Sequence, residues 1–129
     1  MVDTNILFSA ILGSKYLNKL IEKIIENYTF IICSYVIDEL YDAVQRKYPE
    51  KTKEIDKFLR DFDFKLVFSA HFIRNEDRLF EIRDEEDYII LHTAIIENVD
   101  IFITNDKDFF DVDIKRPKIM NPEEFDKEY

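Results

Sequence analysis

Three short apolar runs, Met1-Val2, Phe30-Ile31-Ile32-Cys33 and Ile101-Phe102-Ile103, each lead into a carboxylate. Asp3 ends the first run, Glu39 lies in the first turns of the helical pattern after the second, and Asp106 follows the third after Thr104-Asn105. Asp87 holds the same early place in a further helical pattern. Runs of this length read as buried strands, and the segments between them carry helical periodicity. That alternation defines an α/β chain, a three-layer α/β/α arrangement with a central, mostly parallel sheet covered on both faces. Strand C-termini and the following helix N-termini then share one edge of the sheet, where ligands bind. Asp3, Glu39, Asp87 and Asp106, from four distant segments, are therefore expected in one pocket. Converging carboxylates repel one another unless a cation sits between them, so a hard-metal site is the leading expectation.

The elements follow from local chemistry. Ile6 to Leu12 is a short apolar helix candidate stopped by Gly13, and Ser14 is placed to cap the next. Leu17, Leu20, Ile21, Ile24 and Ile25 give that helix an apolar stripe, with Lys15, Lys19 and Lys23 outside. Residues 29–33 form a β-branched and aromatic run, and Ser34 is a fitting N-cap for a helix to about Lys47. Pro49 opens another helix with Ile55, Phe58 and Leu59 inward. Phe62, Phe64, Leu66 and Phe68 alternate with strand period, while His71 to Ile82 reads as helical. Asp84 to Asp87 suit the N-terminus of a helix reaching Glu97, where acids complement the helix dipole. Asp100 to Thr104 reads as a buried strand, Lys107 to Phe110 as a helical turn and Pro117 to Met120 as a last strand.

Composition narrows the chemistry. The 129 residues are 47% hydrophobic and 36% charged, which fits one globular domain spanning 1–129. No signal peptide or membrane span is read, and Cys33 has no cysteine to pair with in the chain, so a reducing, cytoplasmic setting is expected. The single glycine excludes a P-loop and a GxGxxG turn; two isolated histidines and one cysteine do not make a usual zinc site. The net charge of −10 is concentrated late: residues 84–129 hold 5 Lys/Arg against 14 Asp/Glu. Such a surface argues against unaided, non-specific nucleic-acid binding. What remains for catalysis is carboxylate.

Four segments carry a family resemblance: Asp3-Thr4-Asn5-Ile6-Leu7; Ser34 with Glu39-Leu40; Asp87, Ile90, Thr93 and Ala94; and Ile103-Thr104-Asn105-Asp106 with Asp108-Phe109. In this order they resemble the motifs of the PIN domain family. The tail Lys118 to Phe125 resembles the closing strand and P-x-x-F ending of its bacterial and archaeal toxin branch, the VapC-like ribonucleases. The resemblance implies hydrolysis of RNA phosphodiester bonds by Asp3, Glu39, Asp87 and Asp106 around Mg²⁺ or Mn²⁺, with Asp108 as an auxiliary ligand. It also implies Thr4, Asn5, Ser34, Thr104, Asn105 and Asp84 as supports for those carboxylates, and a small antitoxin protein as partner. Only Met1 and Val2 precede Asp3, where family members have several apolar residues, so either a very short first strand or a start further upstream is expected.

Other readings compete. Asp106 also suits the N-cap of the turn that follows, and Asp84, Glu85 and Glu86 compete with Asp87 as ordinary first-turn acids. Asp38, His71, His92 and the Lys15-Lys19-Lys23 stripe read as surface or packing residues, the stripe with a lesser prospect of guiding RNA. Asp106, Asp108, Asp111 and Asp113 lack the glycine and distal glutamate of a calcium loop. A phosphoacceptor receiver domain would need an aspartate ending the middle strand, which Phe64 to Ser69 does not supply. A catalytically silent PIN-like protein-binding module is the stronger alternative. Twelve Phe and seven Tyr leave room for a homodimer surface beyond the core.

Overall fold

The computed structural model describes residues 1–69 and 78–129. Within them run α1 (Thr4–Ile11), α2 (Lys15–Asn27), β1 (Ile31–Cys33), α3 (Ser34–Lys47), a 3-10 turn at Pro49–Lys51 and α4 (Thr52–Asp61). β2 (Lys65–Val67), α5 (Glu85–Ile96), β3 (Ile101–Ile103), α6 (Lys107–Phe110), β4 (Lys118–Met120) and α7 (Pro122–Glu128) follow. The fold is α/β with parallel strands, as the alternation implies. β1 pairs with β2, Ile32 opposite Leu66, and β3 pairs with β4, Phe102 opposite Ile119. The first segment contributes one parallel bridge, Val2 to Ile103: the Ile103 amide donates to Met1 O at 2.9 Å and the Asp3 amide to Ile103 O at 3.0 Å.

Sequence chemistry explains most boundaries. Gly13 takes φ 108°, a left-handed turn that ends α1, and Ser14 Oγ then accepts from Leu17 N at 3.3 Å to cap α2. Leu17, Leu20, Ile21 and Ile24 of α2 join Leu7, Ile32, Val36, Leu40, Leu91, Phe102 and Phe109 in one buried cluster. Lys23, on the outer side of α2, pairs with Asp126 of α7 at 3.1 Å.

Three expectations are corrected. Ser34 is the first residue of α3 and not its cap; Cys33 precedes it with no side-chain bond. Ser34 Oγ instead accepts from Ser69 N at 3.0 Å, because a helix that leaves the strand directly frees this hydroxyl to tie down the next strand's end. The alternating phenylalanines do not define the inner face of β2: Val67 is buried, while Leu66 and Phe68 are 41% and 77% exposed. Pairing of Val67 with Cys33 sets that register, and a shift of one residue exchanges the faces. Of the helix expected over His71 to Ile82, residues 71–77 lie outside the described residues, and 78–82 are not helical.

Candidate metal centre

Asp3 is 3% exposed, held at the end of the bridged segment by its own amide. Its Oδ1 accepts from Thr4 N at 2.6 Å, capping α1, and its Oδ2 accepts from the Thr104 hydroxyl at 2.8 Å. Thr104, fully buried, also accepts from Asp106 N at 3.0 Å, so one hydroxyl sets the spacing of two acidic segments. Asp106 Oδ1 accepts from Asp108 N at 3.0 Å, so Asp106 caps α6 while facing the same pocket. Glu39 projects from α3, and its Oε1 accepts from the Thr4 hydroxyl at 2.8 Å. Asp87 enters from the first turn of α5, whose cap is Asp84, accepting from Glu86 N at 2.9 Å.

These side chains line a pocket of about 330 Å³. Asp3, Glu39, Asp42, Asp84, Glu86, Asp87, Asp106 and Asp108 supply eight carboxylates to it; Arg46, Lys47 and Arg83 supply the cations. One carboxylate oxygen from each of Asp87, Asp106 and Asp108 lies within 4.8 Å of the other two. The crowding is visible in proton affinity. Burial, with the charges of Asp84, Asp106, Asp3 and Asp108, raises Asp87 to about 7. Burial raises Glu39 to about 7 as well; a hydrogen bond and the charge of Glu86 add to this, and the Thr4 hydroxyl opposes it. Asp3 is also raised, by burial first and by Asp106, against the bonds from Thr104 and Thr4. A cation among these groups would relieve all three. The three donors are carboxylate oxygens from the starts of α5 and α6, the hard set that Mg²⁺ and Mn²⁺ accept and that lacks the His or Cys of a zinc site.

Of the residues singled out in sequence, Asp3, Glu39, Asp87, Asp106, Asp108, Thr4, Asn5 and Asp84 line this pocket. Thr104 supports it from beneath. Ser34 bonds to Ser69 instead, and Asn105 lines a separate cleft with Ser9 and Asn121. Glu86, which passed for an ordinary first-turn acid, faces both Glu39 and Tyr35, and its charge adds to the rise in proton affinity that burial gives each. Asp42, Arg46 and Lys47 were not singled out, although they follow Glu39 at i+3, i+7 and i+8 and so share its helix face. Arg83, also passed over, pairs with Asp108 at 3.0 Å.

Fold and pocket together define an α/β protein that gathers carboxylates from distant segments where parallel strands give way to helices. The chain belongs to the PIN domain family, whose model matches residues 1–115. In fold it is similar to a chain of a solved structure described as VapBC2 from Rickettsia felis bound to a DNA fragment from their promoter. That likeness has a TM-score of 0.68 at 23% identity, covering 94% of this chain and 96% of that one. No curated protein matches.

Proposed function

We propose that this chain is a metal-dependent endoribonuclease and the toxin of a toxin–antitoxin pair. The observation that carries the reading is the convergence of Asp87, Asp106 and Asp108 beside Asp3 and Glu39 in one pocket. Membership of the PIN family supports phosphodiester hydrolysis, and the likeness in fold to a chain of VapBC2 supports a partnered toxin. Mg²⁺ or Mn²⁺ would be held by Asp87, Asp106 and Asp108, with Asp3 and Glu39 alongside. When bound, such an ion polarises a phosphoryl oxygen and makes a coordinated water acidic enough to attack. The chain's own contribution is positioning. Thr104 and the Thr4 amide fix both oxygens of Asp3, and the Thr4 hydroxyl orients Glu39, so the carboxylates need not reorganise when substrate arrives.

The test is cleavage of a single-stranded RNA by the whole chain with Mg²⁺ or Mn²⁺ and with excess EDTA, alongside calorimetric titration with Mn²⁺. Cleavage that EDTA stops and Asp106→Asn abolishes is the expected result. Full activity in EDTA refutes metal dependence. Absence of both Mn²⁺ binding and cleavage favours the catalytically silent module instead.

A further inference from the structure

The pocket that gathers eight carboxylates also carries three exposed cations, and they sit on two different walls. Arg46 and Lys47 form the last turn of α3; Arg83 precedes the acidic start of α5. We propose that Arg46 and Lys47 on one wall and Arg83 on the other hold backbone phosphates of single-stranded RNA on either side of the carboxylates. The inference rests on the nuclease reading and adds to it how a chain of net charge −10 receives a polyanion.

Phosphate contacts need Lys or Arg, and the acids of the pocket repel RNA at the place where it must dock. Basic residues at a helix C-terminus complement its dipole wherever that end points, so the dipole accounts for the charge of Arg46 and Lys47 but not for the pocket they face. Here that end opens onto the acidic pocket. Among the described residues neither has an ion-pair partner. Arg46 Nε donates to the Asp42 carbonyl at 3.3 Å, which steadies the stem, while Lys47 Nζ stands 5.6 Å from the centre of the Phe8 ring. Both residues are exposed.

Arg83 is different. Its Nη2 lies 3.0 Å from Asp108 Oδ2, yet its side chain is 86% exposed. A guanidinium has five donors in a planar fork, so it can keep its bond to Asp108 and still donate to a phosphate from its outer edge. Lysine, a point charge, does not offer that second edge. Arg83 is thus a binding residue on the far wall, and its bond to Asp108 places it beside the scissile position.

The experiment uses the full chain with Mn²⁺, a fluorescent single-stranded oligoribonucleotide, and anisotropy as well as cleavage. Each phosphate contact on a single strand adds about 0.7 to the slope of log affinity against log salt. Arg46→Gln/Lys47→Gln should lower that slope by about 1.4 and Arg83→Gln by about 0.7. The double variant should raise KM about tenfold with kcat nearly unchanged, and Arg83→Lys should restore only part of the Arg83→Gln loss. Lys15→Gln/Lys19→Gln makes the same change in net charge outside the pocket and should leave the slope alone. An unchanged slope in the first two variants, or an equal fall in the Lys15/Lys19 control, overturns the proposal while cleavage by the wild type stands. A wild type that binds RNA with these slope changes but never cuts it supports the two walls and removes the nuclease reading.

Discussion

Thr104 shows how much one buried hydroxyl controls. It donates to Asp3 and accepts from the Asp106 amide, so it holds the first and last acidic motifs in register across the sheet. Thr104→Val keeps the shape and removes both bonds. Leaving a buried carboxylate short of a donor costs about 1–3 kcal/mol, so the urea midpoint should fall accordingly. Loss of a group that orients ligands costs roughly 10–100-fold in metal affinity, which Mn²⁺ calorimetry would read. Ser34→Ala, which severs the bond from Ser69 N instead, should lower stability without that loss of affinity. The two threonine and serine roles were not equally legible. Thr104 follows a short apolar run and precedes the acid by two residues, which is a local pattern. The partner of Ser34 is 35 residues away, and only the pairing of β1 with β2 brings it close.

At the level of elements, the long helices and all four short strands lie within the segments their local patterns mark, while the inward face of one strand was not readable. α2 and α3 run close to where their apolar stripes and flanking residues place them, because three or four turns of consistent burial leave little choice. β2 is three residues long, and its inward face depends on register with β1, which no local pattern encodes. α5 holds a further consequence. His92 stacks on Tyr88 with ring centres 5.5 Å apart, and its Nδ1 is buried with no hydrogen-bond partner among the described residues. Burial lowers its pKa from the usual 6.5, since a proton on Nδ1 would find no acceptor. The unfolded chain therefore takes up this proton first: the contribution to stability is present above about pH 6.5 and is lost as pH falls from there through the folded value. His92→Phe should make stability less sensitive to pH between about 7 and 5 than in the wild type, measured by urea unfolding at each pH. Equal pH slopes would show that His92 takes up its proton as readily in the fold as in the unfolded chain. Closer to the C-terminus, Asn121 and Glu124 cap α7 reciprocally, and the helix stacks Phe125 on Tyr129. Asn121→Ala should cost about 1 kcal/mol in thermal unfolding.

For the molecule as a whole, charge is the organising quantity. Empty, the pocket sets carboxylates against one another; filled, it gains a cation that binds only the folded chain. At Mn²⁺ a hundredfold above its Kd the folded state gains about 2.7 kcal/mol, which for a chain of this size is a rise of about 10 °C in Tm, reversed by EDTA. Glu39→Gln/Asp87→Asn should melt no lower than the wild type without metal, because like charges have been removed, and should lose most of the Mn²⁺-dependent rise. The same electrostatics predict how a partner would silence the site. A small antitoxin that places an arginine among these carboxylates substitutes for the metal's charge, and its fork can bridge two of them. Opposite charges close together in a partly dry pocket interact far more strongly than the ~0–1 kcal/mol of an exposed pair. Metal and partner would then compete for one space, and coupling of this kind is reciprocal: Mn²⁺ weakens the antitoxin by the same factor as the antitoxin weakens Mn²⁺. Titrating the cognate antitoxin against wild type, with and without Mn²⁺, and against Glu39→Gln/Asp87→Asn measures this directly. The expected result is weaker binding in the presence of Mn²⁺ and in the double variant. Equal affinity in all three would place the inhibitor's contacts away from the acidic pocket, leaving it a catalytic feature alone.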